Sequence, residues 1–93
     1  GVLMNLKQLE SFSYIIETNS FSEAAKKLFL TQPTISSHIS LLEKELSTQL
    51  LIRTTKDVIP TDAGKKLYTY AKQMLQIQNT ILEENSLVKK NWN

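Results

Sequence analysis

The sequence contains no cysteine, a single histidine, two glycines and two prolines in 93 residues. Without cysteine, neither a disulfide framework nor a thiolate zinc site can form, and His38 alone does not supply the clustered ligands of a metal site. No metal and no cofactor are therefore predicted. An enzyme is also disfavoured, because His38 has no companion histidine or cysteine for nucleophilic catalysis and the carboxylates are scattered. No catalytic residue is predicted.

Long apolar runs are missing as well. No segment approaches the ~18 consecutive apolar residues that can span a bilayer, and the start lacks the basic segment and apolar stretch of a signal peptide. These absences predict a cytoplasmic protein that does not contact a membrane. Residues 1–3 precede the first methionine of the chain, Met4. We expect these three residues not to belong to the natural domain.

The length and the charge set further limits. With 41% apolar and 22% charged residues, the chain suits one compact domain, too small for a deep active-site cavity beside its core. Its net charge is only +2, and residues 1–60 carry six basic and six acidic side chains. Charge alone therefore does not indicate nucleic acid, and any such argument depends on where the polar side chains lie.

Helical periodicity predicts two short helices at the start of the chain. Asn5 and Gln8 have the spacing of a capping box before a helix from Leu6 to Thr18. Ser20 and Glu23 repeat that spacing and open a second helix. The side chains predicted to face inward from this second helix are Phe21, Ala24, Ala25 and Leu28.

A third helix is predicted to begin after Thr31, an N-cap residue, with Pro33 in its first turn. Its first half is polar but uncharged, and Glu43 and Glu45 lie at its far end, away from any polyanion at the start. The polar residues are Gln32, Thr34, Ser36, Ser37, His38 and Ser40. The predicted apolar stripe is Ile35, Ile39, Leu42 and Leu46.

The period then changes to that of strands. Residues 50–52 and 58–60 predict a small β-hairpin with a polar tip, and Thr61 and Asp62 cap a last helix of some 27 residues. At ~1.5 Å per residue this helix is about 40 Å long, so it projects from the body. The predicted fold is mainly α: a winged helix-turn-helix over residues 4–60, a linker helix over 61–88 and a tail over 89–93.

The last helix carries apolar residues at a seven-residue spacing with others between them, which is typical of a seam for another helix. The alternative is packing onto its own domain, which suits Leu67 and Tyr70 but not the residues past Ile77, where no other segment remains to cover them. A homodimer through this helix is therefore predicted. The interface residues are Leu67, Tyr70, Met74, Ile77, Ile81 and Val88.

The winged layout indicates DNA, because the second helix of the motif lies in a major groove. Side chains that offer donors and acceptors to base edges crowd its first turns, and the helix start at Thr31 favours phosphate. On the hairpin, Arg53 and Lys56 would meet the backbone or a minor groove, and His38 would contact phosphate or water. The alternative is that the hydroxyls only cap and solvate the helix and that the basic side chains are ordinary surface residues.

Several motifs together resemble the DNA-binding region of LysR-type transcriptional regulators, from Met4 to about Leu87. In chain order they are Asn5-Leu6-Lys7-Gln8-Leu9, Ser20-Phe21-Ser22-Glu23-Ala24-Ala25-Lys26-Lys27-Leu28, Thr31-Gln32-Pro33-Thr34-Ile35-Ser36, Arg53-Thr54 and Thr61-Asp62-Ala63-Gly64. The resemblance implies a linker helix that pairs in a dimer and binding to interrupted inverted repeats in promoters. It also implies that full-length members are usually tetramers, whose small-molecule effector binds a C-terminal domain absent from this chain.

The resemblance also assigns residues by position. Those matching groove-facing positions are Gln32, Pro33, Thr34, Ser36 and Ser37, and those matching basic backbone or wing positions are Lys7, Arg53 and Lys56. The sequence departs from the family pattern at Ser37, where many members have Arg, and at Ser47, Leu51 and Thr55. Without a forked donor at position 37 we expect less guanine reading and more dependence on A·T contacts and DNA shape.

A second function stays open from the residues alone. The chain could be a helical protein-interaction module that recruits a partner through the long helix and does not bind DNA. This alternative explains the apolar seam, whereas it leaves the polar start of the third helix as a solvent-exposed face. The two hypotheses differ in whether the folded protein binds a duplex with a salt-dependent affinity.

Overall fold

A computed structural model describes the chain over residues 4–91, with side chains described as far as Asn85. Four helices and a two-stranded hairpin form in this range, which confirms the predicted winged helix-turn-helix. The elements are α1 (Leu6–Thr18), α2 (Phe21–Leu28), α3 (Gln32–Leu46), β1 (Leu51–Arg53), β2 (Val58–Pro60) and α4 (Asp62–Asn91).

The helix starts follow the predicted capping residues. At α1 the capping box is complete, because Asn5 accepts from the Gln8 N–H at 2.8 Å and the Gln8 side chain accepts from the Asn5 N–H at 3.2 Å. At α2 only half of the predicted box forms. Ser20 accepts from the Glu23 N–H, but the Glu23 carboxylate pairs with Lys26 at 3.3 Å instead of reaching back to Ser20.

The first three helices enclose the core, because α1 packs against α2, α3 and α4 and α2 packs against α3. Two of the side chains predicted to face inward from α2, Ala24 and Ala25, are buried, and their small size allows close helix contact. Leu46, the last residue of the predicted apolar stripe, is exposed, whereas Ile35, Ile39 and Leu42 of that stripe are buried. The buried apolar side chains are Leu9, Phe12, Ile15, Phe21, Ala24, Ala25, Ile35, Ile39, Leu42, Leu50, Leu51 and Ala71.

The hairpin is antiparallel, with Leu51 opposite Pro60, Ile52 opposite Ile59 and Arg53 opposite Val58. Its base is fastened by Glu43, whose carboxylate accepts from the Leu50 N–H at 2.7 Å. The predicted acid at the far end of α3 is therefore a structural acceptor. Ile52 and Ile59 face outward as an exposed cross-strand pair, because only one face of a two-stranded hairpin can reach the core.

The last helix is longer than predicted and extends to Asn91. The molecule measures 55 × 26 × 23 Å, so α4 projects beyond the body as expected. Near its start, the Glu17 carboxylate accepts from the Tyr68 hydroxyl at 2.7 Å and pairs with Lys72 at 3.0 Å. Burial alone would raise the pKa of Glu17, but these two partners outweigh it and hold the pKa below its usual value. This network joins α4 to α1.

Neither α4 nor any shorter helix within residues 4–91 combines the length and the apolar character that a membrane crossing requires.

Candidate nucleic-acid interface

The leading turns of α3 lie at the surface. Gln32, Pro33 and Ser37 are exposed and Thr34 and Ser36 are half-buried, whereas Ile35 between them is fully buried. The helix is therefore braced through one face while its polar face is available to a partner. The first turns of α3 are therefore exposed, as a helix that enters a DNA groove requires.

The cap of α3 engages part of this polar set. The Thr31 hydroxyl accepts from the Thr34 N–H at 3.3 Å and lies 2.8 Å from the Thr34 hydroxyl. Thr31 and Thr34 therefore hold each other in place at the helix start, where unpaired backbone N–H groups and the helix dipole favour an anion. Gln32 follows this cap directly and its side chain is exposed.

Residues 51–60 form the wing, and its tip is a tight turn that the Thr54 side chain organises. Its hydroxyl accepts from the Asp57 N–H at 2.9 Å and from the Lys56 N–H at 3.3 Å, while its own N–H donates to the Asp57 carbonyl at 2.9 Å. Lys56 is exposed at this turn. The local bonds thus hold the backbone of the tip and present the lysine side chain to solvent.

Arg53 connects the wing to the body of the domain. Its guanidinium carbon lies 3.5 Å from the centroid of the Phe21 ring, at the start of α2. This is a cation–π contact, which favours a guanidinium that lies over the ring. The arginine is exposed, so the stacked group still faces solvent.

Two adjoining grooves bring α3 and the wing together. One, of about 270 Å³, is lined by Gln32 from α3 and by Arg53 and Lys56 from the wing, together with polar residues of the α1–α2 turn. The other, of about 190 Å³, lies between Ser36 on α3 and Arg53. Of the predicted contact residues, Gln32 and Ser36 on α3 therefore share a surface with Arg53 and Lys56 on the wing, and Arg53 lines both grooves. The other predicted contact residues line neither groove: Lys7, Thr31, Pro33, Thr34, Ser37 and His38.

His38 is more engaged than the sequence suggested. Its Nδ1 lies 2.6 Å from the hydroxyl of Ser11, which is fully buried on α1. Burial and, secondarily, the positive charge of Lys7 hold the pKa of His38 below its usual 6.5. The ring is therefore neutral near pH 7. With Ser11 at Nδ1, the ring edge that carries Nε2 is the one left to meet a phosphate.

The predicted dimer residues divide along α4. Leu67 packs against the core, as the alternative interpretation allowed, but Tyr70 is 60% exposed and does not. Met74, Ile77 and Ile81 are exposed as predicted, and the side chain of Val88 lies outside the described residues. These three line an apolar groove of about 390 Å³ with members that the sequence did not single out: Leu6, Gln78 and Leu82.

Sequence reasoning missed two supports of the wing, Phe21 and Asn19. Phe21 was assigned only to the core, but it also carries the Arg53 stack. Asn19 directly follows α1, and its side chain bonds to the wing residues Asp57 and Val58, a contact that the sequence does not predict. An Asn after a helix indicates a left-handed cap, whereas no local signal indicates a bond to a residue 38 positions later.

Within residues 4–91, no group of three or more His, Cys, Asp or Glu side chains could hold a metal ion. The surface combines neutral hydrogen-bonding groups with the cations Arg53 and Lys56. Its two carboxylates, Glu43 and Asp57, accept hydrogen bonds from the Leu50 N–H and from the Asn19 amide. Such a surface suits a polyanion with readable edges.

Comparison with known proteins also indicates a DNA-binding domain. Residues 6–65 match the sequence model of the bacterial regulatory helix-turn-helix proteins of the lysR family. A curated relative, the nitrogen assimilation regulatory protein nac of Escherichia coli (strain K12), is 47% identical over 73 residues. That match covers 78% of this chain but only 24% of the relative.

Solved structures agree with the fold. The crystal structure of BenM_DBD in complex with catB site 1 DNA has a TM-score of 0.87 at 35% identity and covers 91% of this chain and 94% of that one. Full-length CbnR in complex with its target DNA has a TM-score of 0.82 at 28% identity and covers 89% of this chain and 29% of that one.

Proposed function

The chain belongs to the LysR family of bacterial regulatory helix-turn-helix proteins, and on this premise we propose how it recognises DNA. Its winged helix-turn-helix is the DNA-binding part of a transcription regulator. In the proposal, α3 enters the major groove of a specific duplex and the wing contacts the backbone or the minor groove. The single observation that carries it is the shared groove lined by Gln32, Arg53 and Lys56.

Base reading is assigned to the leading turns of α3. Gln32 can donate and accept at one base through its amide, and Ser36 and Ser37 offer hydroxyls that do both. Pro33 and the methyl group of Thr34 offer apolar contact to a thymine methyl group. Because no arginine lies on this surface of α3, we expect A·T contacts and DNA shape to carry more of the preference than guanine does.

Backbone contacts are assigned to the groups that flank the reading turns. The exposed side chains of Lys7 and Lys56 supply positive charge, and Arg53 supplies a stacked guanidinium beside the same groove. Thr31 offers the helix start, and His38 offers its outer ring edge. These contacts position α3 and carry little sequence information themselves.

Dimer formation is proposed through the exposed apolar face of α4. An apolar groove of about 390 Å³ on a projecting helix is costly to leave in water, and a second copy of the same helix covers it with like residues. A two-fold dimer presents two reading helices to half-sites about one turn apart or a multiple of it. We therefore propose an interrupted inverted repeat in promoter DNA as the target.

The remaining functions of the longer protein are proposals drawn from the family. The chain spans about a quarter of the nac relative, so effector binding and any tetramer contacts are assigned to parts of the protein outside this chain. The DNA-binding role requires no catalysis by these residues. It places the protein in the cytoplasm, where the bacterial promoter lies.

Titration of fluorescent duplex at several salt concentrations tests the proposal. The logarithm of the binding constant should fall linearly with the logarithm of salt concentration, with a slope of about −0.9 per phosphate neutralised. A folded dimer that does not bind any duplex, or whose binding does not respond to salt, would instead favour the protein-interaction module.

A further inference from the structure

The side chain of Asn19 joins the end of α1 to the wing. Its backbone caps α1 in the left-handed region, with φ 58° and ψ 32°, and its N–H donates to the Ile15 carbonyl at 2.8 Å. Its side chain makes two further bonds: Nδ2 donates to the Asp57 carboxylate at 3.0 Å, and Oδ1 accepts from the Val58 N–H at 3.1 Å. One amide thus contacts both the tip turn and the first residue of β2.

Few contacts other than the Asn19 bonds hold the tip of the wing against the body of the domain. Each strand has three residues, and a two-stranded hairpin of this size is marginal on its own in water. The base is fastened by Glu43 and by the buried Leu51, but residues 54–57 are all exposed. Near the tip, the wing contacts the body through the Arg53 stack on Phe21, through the two Asn19 bonds and through Val58, which is half-buried and packs against the core.

We propose that Asn19 is a positioning residue for DNA binding, which fixes the wing beside α3 before the duplex arrives. The inference rests on the proposed function of the wing. A wing held in place does not have to be ordered during binding, so its cations contribute more of their attraction to affinity. Asn19 itself needs no contact with DNA.

The bond to Asp57 has a second effect. Asp57 is the acidic residue next to Lys56 in the chain, and its carboxylate could otherwise pair with that lysine or approach a phosphate. The Asn19 amide donates to one carboxylate oxygen and so holds this group beside the end of α1, although Asp57 still lines the groove together with Lys56. Among the described residues, Lys56 lines the groove without an acidic side chain within ion-pair distance.

The sharpest variant is Asn19→Gly, which removes both side-chain bonds while glycine keeps the left-handed backbone without strain. Its matched control is Ser47→Gly, at the left-handed cap of α3, where φ is 50°. Ser47 makes no side-chain hydrogen bond to the wing among the described residues. Both variants should keep the fold, as checked by circular dichroism and melting temperature.

With the full chain, duplex titration at fixed salt should show Asn19→Gly binding about three- to tenfold more weakly than wild type. Ser47→Gly should bind within about twofold of wild type. Lys56→Ala should cost less affinity in the Asn19→Gly background than alone, because the lysine is then no longer held in place. Without DNA, the Val58 amide should exchange faster in Asn19→Gly than in Ser47→Gly, since its acceptor has gone.

Two results would overturn the inference and separate it from the proposed function. If wild type binds duplex but Asn19→Gly binds as tightly as Ser47→Gly, Asn19 does not position the wing and the proposed function still stands. If wild type itself does not bind duplex, both fail together. Unchanged Val58 exchange in Asn19→Gly would also contradict the tether.

Discussion

The guanidinium of Arg53 stacks on the ring of Phe21, 3.5 Å from its centroid, and so ties the wing to the first residue of α2. Phe21 is largely buried in the core, which makes it a rigid platform for the arginine. Arg53 borders both grooves between α3 and the wing. The stack thus sets where the central cation of the candidate interface stands.

Replacing Arg53 with lysine tests the stack. A cation–π contact at an exposed site contributes about 0.5–1 kcal/mol, and a lysine lacks the planar fork that stacks on the ring. Arg53→Lys should therefore weaken duplex binding several-fold although the charge is kept. In the double variant with Phe21→Leu, the phenylalanine change should cost little further affinity. Strictly additive losses in the titration would mean that the two side chains act independently.

Gly64 is predicted to tolerate no side chain. It lies in the first turn of α4, and a Cβ there would overlap the carbonyl oxygen of Leu50, which also accepts from the Thr61 N–H at 3.0 Å. Gly64→Ala should lower the free energy of unfolding by about 1–3 kcal/mol, measured by urea denaturation. The neighbouring exposed Lys65→Ala serves as the control and should change it little. Equal stability of the two variants would refute this packing.

His38 should titrate below its usual range. Burial and the charge of Lys7 lower its pKa from 6.5, so the folded state binds a proton less readily than the unfolded chain. Stability present above pH 6.5 is therefore lost as the pH falls through the lowered pKa. NMR titration of the His38 ring should give a pKa below 6.5. The variant His38→Asn should remove the loss of stability that accompanies protonation of this ring. A pKa at or above 6.5 in the free domain would be inconsistent with this environment.

If His38 faces a phosphate in the complex, its pKa should rise when duplex is added, because the anion favours the protonated ring. The same NMR titration, repeated with bound duplex, checks the assignment. No change on binding would remove His38 from the proposed contact set while leaving its bond with Ser11 unaffected.

Charges placed in the α4 groove should separate the dimer. Met74→Glu with Ile81→Glu puts two carboxylates on the exposed apolar face without touching the buried core. The double variant should be a folded monomer in sedimentation. It should bind an inverted repeat weakly, because the two DNA-binding domains are no longer linked and the second half-site loses the high effective concentration of its domain. The control is Gln73→Glu with Gln76→Glu, which adds the same two charges at exposed polar positions of α4 and should leave the dimer intact. An intact dimer in the first variant would exclude this face as the interface.

Local signals in the sequence were enough to predict most of the fold. Asn5, Ser20 and Thr31 each cap the helix that their spacing indicated, because a cap depends only on residues within the first turn. Leu46 shows where periodicity fails. It keeps the helical register of the apolar stripe, but its exposure depends on where α3 passes the edge of the core, which a helical pattern does not contain.

The candidate site was only partly predictable. Gln32, Arg53 and Lys56 were singled out by residue type and position, and the structure places them around one groove. The side chains that hold these residues in place were not predicted. The Asn19–Asp57 hydrogen bond and the Phe21–Arg53 cation–π contact each join segments that lie more than 30 residues apart in the chain. Such contacts follow from the packing of the wing on the α1–α2 turn, and no short sequence pattern encodes that packing.

The central claim, that the leading turns of α3 read base sequence, is tested most directly by one comparison. Duplexes selected from a random pool and their scrambled versions are titrated with wild type, Gln32→Ala and Lys56→Ala at one salt concentration. Gln32→Ala should lose about 1–3 kcal/mol of preference for the selected duplex, whereas Lys56→Ala should weaken both duplexes alike. Equal losses on both duplexes for Gln32→Ala would contradict the claim.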